Sequence, residues 1–431
     1  MLMPTSTIAT VTMLQLSHLE RAILSGETGS DGARMAMEIV VGAARMLGAQ
    51  SLVPVVSGHI DGCLYHGDSG VLFCERLAES GAKVSVPATT NVGALNLLKP
   101  DQSRLAPEQR KMAFRLMQAH DRMGCTPSWT CAPYQAGARP SVGEQIAWGE
   151  SNAVAFANTV LGARTNRYGD FLDIACAIAG HAPLYGLHTD EARRGQIVID
   201  VGGLTQRLKR EDAFYPVLGA LIGQLAGDSV PVIAGLQDNT PTEDQLKALC
   251  AGAASTGSAA LIHILGLTPE APDLGAALGG NAAEESVTVT RTMIAEARES
   301  LSRSSTDTVD CVALGSPHFS ADECRTLLHL LNGRRSKVPI YLCTGRHVMN
   351  ALAPSGNDTA LSELGVEFVI DTCVVVTPIL PPGGKAMMTN SAKFAHYAKG
   401  NTGHDPVFGS LGECVESAVA GRLVRDATLW S

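Results

Sequence analysis

The sequence predicts an α/β protein built on mainly parallel sheets with flanking helices, on two observations. First, short apolar runs rich in valine and isoleucine recur along the chain: SLVPVVSGHIDG, AKVSVPATTN, QIVIDVGGL, VPVIAGL, AALIHILGL, DCVALGSPH, VPIYLCTGR and VEFVIDTCVVV. Second, helical segments such as EDQLKALCAGAAS, ADECRTLLHLLNG and ESVTVTRTMIAEARES separate most of them. Apolar runs of strand length suit strands buried on both faces, and such strands alternating with helices form parallel sheets.

The elements follow from local chemistry. Ser17 and Glu20 form a capping box, Leu19, Ile23 and Leu24 give an apolar face, and Gly26 ends the helix. A second helix spans DGARMAMEIVVGAARMLG. In WGESNAVAFANTVLGARTNRYGD, Ser151 caps a helix from Asn152 to about Ala163, with Glu150 at its positive end and Arg164 and Arg167 at its negative end. Its first NH groups, at Ser151 and Asn152, are either ordinary capped amides or a seat for an anionic substrate group. No repeat or low-complexity linker divides the chain, and the stretch LGGNAAEES near residue 280 is the one candidate boundary.

Composition narrows the class. The chain has 431 residues, 45% hydrophobic and 17% charged, which suits a large buried core. A net charge of −9 argues against a non-specific nucleic-acid binder. No apolar run reaches membrane-spanning length, and the N-terminus lacks a signal-like segment, so no membrane partner and a cytoplasmic location are expected. In a reducing compartment the 11 cysteines are not a disulfide framework. Cys74, Cys176, Cys250, Cys324 and Cys414 lie in apolar helical patterns, where cysteine behaves as a small hydrophobe.

Candidate chemistry gathers at strand ends, where open α/β sheets bind ligands. The first run ends in Ser57, Gly58, His59, Asp61, Gly62 and Cys63, the second in Thr89, Thr90 and Asn91. Later runs end in Ser316 and His318, in Thr344 and Arg346, and in Asp371, Thr372 and Cys373. Any one has a bland reading: His59 as a satisfied core histidine, Arg346 as a surface ion pair. A phosphate-binding lysine loop, a dinucleotide glycine motif, a zinc-protease HExxH and a C-x-x-C pair are all absent. The stretch GCTPSWTCAPYQAG presents Cys125 and Cys131 on a proline-stiffened loop. Thiols on separate loops suit an iron–sulfur cluster, whose ligands need not be close in sequence.

The stretches SGHIDG, AKVSVPATTN, TCAPY, AWGESNAVAFANTVLGARTNRYGD, ALGSPHFS, DTCVVV and TNSAKFAHY resemble the catalytic large subunit of the aconitase X family, in the same order and over nearly the whole chain. The resemblance makes residues 1–431 an aconitase-like catalytic large subunit of several α/β subdomains, with the family's swivelling domain absent from this chain. It implies an iron–sulfur-dependent dehydratase. Family members act on cis-3-hydroxy-L-proline, giving 1-pyrroline-2-carboxylate, or on mevalonate 5-phosphate. The first is the expected activity here, the second the alternative, and a non-catalytic iron–sulfur protein the reading outside enzymes.

The family's cluster cysteines fall on Cys131 and Cys373, while GSPH puts Ser316 where the third would stand. The third position is therefore Ser316 or one of Cys63, Cys125 and Cys311. The expected cluster is 2Fe-2S, with 3Fe-4S and 4Fe-4S as alternatives. Substrate contacts are expected from Gly62, Cys63, Asn91, Ser151, Asn152 and Lys393, with His59 and Arg346 as further candidates. The catalytic base is expected on the swivelling domain, which implies a separate small subunit as partner, beside the small-molecule substrate.

Overall fold

A computed structural model describes residues 13–304, 307–384, 386–426, 428 and 430. Most of the N-terminal stretch inspected for a targeting signal lies outside them. Among the described residues fourteen strands form four small sheets. In the first unit, β1 (Leu52–Pro54) and β5 (His181–Pro183) pair antiparallel, while β2 (Gly58–Ile60) is flanked in parallel by β3 (Ala88–Thr90) and β4 (Ala147–Trp148). The second unit is a parallel sheet of β6 (Ile197–Asp200), β7 (Pro231–Ala234), β8 (His263–Ile264) and β9 (Glu285–Thr288), in the order β8-β7-β6-β9. The third is a parallel sheet of β10 (Cys311–Leu314), β11 (Ile340–Thr344), β12 (Val366–Ile370), β13 (Ala386–Thr389) and β14 (Asp405–Phe408), in the order β12-β11-β10-β13-β14. Three of the four sheets are parallel, as the apolar runs required.

Local chemistry places most elements where expected. The helix His18–Ser25 begins with the Ser17–Glu20 capping box and stops at Gly26, whose φ of 74° is cheap only without a Cβ. Two readings change. ESVTVTRTMIAEARES is not one helix: alternating ESVT forms β9, Thr290 caps the turn, and only Arg291–Ser300 is helical. The β-branched valine and threonines suit the sheet edge better than a helix turn. The stretch near residue 280 is no boundary between units, since β9 beyond it pairs with β6.

The units are joined closely. The Gly93 amide donates to the Asp371 carbonyl at 2.6 Å and the Arg104 amide to the Pro378 carbonyl at 2.8 Å, joining first to third. The Thr377 hydroxyl donates to the Ala94 carbonyl at 3.0 Å. Between second and third units, buried Lys247 reaches Asp244 at 2.8 Å, Glu323 at 2.6 Å and the His318 carbonyl at 3.1 Å. Asn158 Nδ2 donates to the Ala260 carbonyl at 2.9 Å, tying first to second. No helix among the described residues is long and apolar enough to cross a membrane.

Candidate active site

The carboxyl ends of β3-β2-β4 and of the third unit's sheet come together, since Glu150 after β4 pairs with Lys393 after β13 and Cys131 accepts from His318 after β10. From the first sheet come Asp61 and Gly62 after β2, Asn91 after β3, and Gly149 to Asn152 after β4. From the third come Ser316 and His318 after β10, Arg346 after β11, Asp371 to Cys373 after β12, and Lys393 after β13.

The thiol loop runs beside β3. The Thr126 amide donates to the Ala88 carbonyl at 2.7 Å and the Trp129 amide to Thr90 Oγ1 at 3.2 Å. This pins Cys125 into the first unit's core and delivers Cys131 to the third unit. There the His318 amide donates to Cys131 Sγ at 3.2 Å. The His318 ring is fixed as well: Nε2 lies 3.1 Å from the Thr372 carbonyl and must carry the proton, so Nδ1 accepts from Thr130 Oγ1 at 3.1 Å. Burial drops its pKa to about 3, so the ring is neutral.

Cys373 and Cys343 share a sulfur hydrogen bond, and the Val374 amide donates to Cys343 Sγ at 3.5 Å. Burial raises both thiols. For Cys373 the bond from Cys343, the amides of Val375 and Val376 and the charge of Lys393 outweigh burial and hold it below the ordinary range. Cys343 is pushed well above it. Burial, with the charges of Glu150 and Cys373, also raises Cys131, to about 12, against the opposing pull of the Lys393 ammonium and the His318 amide. Three buried thiols, with backbone amides at their sulfurs, thus gather at one spot.

Cys343 was not among the residues expected from sequence. It sits inside an apolar strand, one residue before its end, and reads there as a small hydrophobe. The other candidates lie elsewhere. Cys63 donates to the Ile60 carbonyl at 3.3 Å and shares the first unit's core with Cys125. Cys311 begins β10, at the end of the sheet away from the crest. Ser316 is buried on the loop of His318, with its carbonyl accepting from the Ser391 hydroxyl. Among the described residues no three His, Cys, Asp or Glu side chains close around a single ion. Cysteine thiolates are the usual ligands of iron–sulfur clusters, so three thiols on separate elements are a donor set that such a cluster accepts.

Around the thiols the crest is acidic and rich in acceptors. Glu150, 3% exposed, pairs with Lys393, whose ammonium also reaches Ser151 Oγ at 3.2 Å. Burial alone would raise the Glu150 carboxyl, but Lys393 and the Ala153 and Asn152 amides bring it below its usual value. Its Oε2 accepts from the Ala153 amide at 2.7 Å, so Glu150, not Ser151, caps this helix. The α-helical part is Ser151–Phe156, and a π-helical turn carries it to Leu161 before Gly162. A carboxylate already occupying that end disfavours an anionic ligand on the same amides.

Asp173 is buried and accepts the amides of Asp61 at 2.6 Å and Gly62 at 3.3 Å, clamping the loop after β2. Gly149 lets the two acids approach: a Cβ there would meet Asp61 Cβ at 2.8 Å and Asp173 Oδ2 at 2.9 Å. Arg346 makes a two-point pair with Asp371, at 2.8 and 2.6 Å, and so secures the turn that leads to Cys373. His59 lies beneath the crest, 2.8 Å from Thr89 Oγ1.

Parallel sheets whose strand ends meet at three buried thiols define an α/β protein with a donor set of the kind an iron–sulfur cluster takes. Residues 13–191, 195–299 and 309–420 match the aconitase X first, second and third domains. The chain belongs to the aconitase X family. It is 41% identical over 431 residues to cis-3-hydroxy-L-proline dehydratase of Pseudomonas aeruginosa, covering 99% of this chain and 74% of that one. It is 35% identical over 395 residues to the phosphomevalonate dehydratase large subunit of Methanothermobacter thermautotrophicus, covering 91% of this chain and 96% of that one. The crystal structure of holo-form Thermococcus kodakaraensis aconitase X superposes with a TM-score of 0.83 at 32% identity, covering 94% of this chain and 100% of that one. Both sequence relatives are named as dehydratases, which are hydro-lyases.

Proposed function

We propose that this chain is a hydro-lyase that removes water from cis-3-hydroxy-L-proline to give 1-pyrroline-2-carboxylate. The observation that supports it most directly is the meeting of Cys131, Cys343 and Cys373 beside the acceptor-rich crest of β3-β2-β4. These three thiols are the proposed ligands of an iron–sulfur cluster, and the 2Fe-2S type is the one proposed, with Ser316 in place of a further thiol. Held there, such a cluster would supply a Lewis-acidic iron able to polarise a departing hydroxyl.

The chain's own residues orient the substrate. Asp173 fixes the Gly62 amide, Lys393 stands near Cys131 and Cys373 and reaches Ser151, and the His318 backbone amide holds Cys131 Sγ in place. The base that takes the α-proton is proposed to come from a small swivelling subunit. Support for that partner is that the chain spans 96% of an archaeal relative that is itself named a large subunit.

The test is an assay of the iron-loaded protein, with the small subunit added, on cis-3-hydroxy-L-proline and on mevalonate 5-phosphate. Formation of 1-pyrroline-2-carboxylate from the first, with no turnover of the second, is expected. Turnover of the phosphate alone would replace this reading by the alternative.

A further inference from the structure

The crest of β3-β2-β4 offers hydrogen-bond acceptors that no donor meets. Thr89 Oγ1 is placed to donate to the Gly58 carbonyl at 3.4 Å, so His59 Nδ1, 2.8 Å from the same oxygen, carries the ring proton. That leaves His59 Nε2 a bare lone pair, buried and without a partner. Asn91 turns its amide to the Asp61 carboxylate, which fixes the amide's orientation, because the reverse would set oxygen against oxygen. Its Oδ1 is then a buried acceptor without a partner, in a residue 2% exposed. Asn152 spends its amide on the Cys131 carbonyl at 3.0 Å and the Tyr134 hydroxyl at 2.9 Å, and its Oδ1 is likewise unmet. Buried acceptors without donors are costly, and the two at the strand ends, Asn91 Oδ1 and Asn152 Oδ1, with His59 Nε2 beneath them, call for a ligand rich in N–H or O–H.

Asp61 directly follows β2, the middle strand of β3-β2-β4, and is partly exposed. Its side chain is bonded to Asn91, and its charged neighbours are mostly acids. Among the described residues the ammonium acting on Asp61, that of Lys393, is committed to Glu150. Asp170 on the rim adds further negative charge.

We infer that Asp61 and Asn91 form an ammonium subsite, in which a ring amine places one N–H on the Asp61 carboxylate and the other on Asn91 Oδ1. A secondary ammonium has two N–H donors, and these two acceptors are adjacent because the side chains are hydrogen-bonded to each other. The inference rests on the dehydratase reading above and deepens it: the subsite selects zwitterionic ring amino acids over hydroxy acids of similar shape. A phosphorylated hydroxy acid would bring only anions and hydroxyls to the carboxylates of Asp61 and Asp170. Burial, then Glu150 and Asp170, pushes the Asp61 carboxyl up to about 7, as befits an acid short of positive partners.

The test uses the iron-loaded protein with its small subunit and two ring isosteres, L-proline and tetrahydrofuran-2-carboxylate, which differ by the ammonium. Binding is read by calorimetry and by inhibition of cis-3-hydroxy-L-proline turnover. The wild type should prefer proline by about 10- to 100-fold, the range of a hydrogen-bonded charge pair. Asp61→Asn, which keeps the shape, should reduce that preference to about 3-fold or less by weakening proline and sparing the oxygen ring. If Asp61→Asn keeps the full preference while the wild type dehydrates hydroxyproline, the subsite is misassigned and the substrate reading stands. If the wild type binds neither proline nor hydroxyproline, the substrate reading falls, and the subsite with it. A wild type that does not distinguish the two isosteres overturns the subsite without any variant, whatever the folding of Asp61→Asn.

Discussion

The ammonium of Lys393, carried by the third unit, lies against the carboxylate of Glu150, carried by the first, with only 16% and 4% of the two side chains exposed. Each charge makes the other tolerable where it stands. Lys393→Met should therefore leave Glu150 as an uncompensated buried anion and cost about 3–5 kcal/mol in urea unfolding. Lys393→Met combined with Glu150→Gln should recover part of that loss. A single variant as stable as the wild type would show that the pair is hydrated.

Cys131→Ala, Cys343→Ala and Cys373→Ala are each expected to lose the visible absorption and bound iron of the reconstituted protein. Cys125→Ala and Cys311→Ala, whose thiols lie away from this group, should keep the cluster and cost a packing term on the order of 1 kcal/mol. Full iron content in Cys343→Ala would remove it from the ligand set.

Ser316→Cys offers a thiolate on the loop that already carries His318. The expected result is a changed paramagnetic spectrum with more iron per chain and no gain in turnover, because a shift of about 1 Å in the reacting centre costs rate. An unchanged spectrum would mean that Ser316 stands outside the cluster's ligand shell.

His120 is buried, 3.7 Å from Cys74 Sγ, and burial lowers its pKa from 6.5 to about 4. The folded state holds the ring neutral where the unfolded chain takes up a proton. Its stabilisation is present above pH 6.5 and is lost as pH falls from there toward 4. The unfolding free energy of the wild type relative to His120→Gln should shrink by roughly 3 kcal/mol between pH 7 and pH 4. A difference that does not change with pH would contradict this.

Much of the architecture was legible because burial on both faces leaves an apolar run in the chain, and β1, β2, β3, β6, β7, β8, β10, β11 and β12 all lie in such runs. β4 and β13 were not, since two residues of AW and the methionines of AMMT carry little strand signal. The crest was legible as polar residues after strands. What stayed hidden depends on pairing across the chain. Cys343 meets Cys373 only because β11 lies beside β12, in a register that sets Cys343 opposite Val369. Lys247 reads as a solvated helix lysine, yet packing of the second unit on the third buries it between Asp244 and Glu323. Asp61 was seen at its strand end, but its unmet charge shows only once Lys393 is seen bound to Glu150.

The main-chain bonds from Gly93 to Asp371 and from Arg104 to Pro378 join the first and third units without side-chain slack. Side chains can swing to follow a moving neighbour; peptide groups locked to each other cannot, unless the bonds break. The two facing sheets therefore behave as a fixed anvil, and the distance between Asp61 and the thiols is set when the chain folds. If the proposed small subunit is the partner, admitting a ring substrate and shutting out water would fall to that subunit, moving over strand ends that these bonds hold in place.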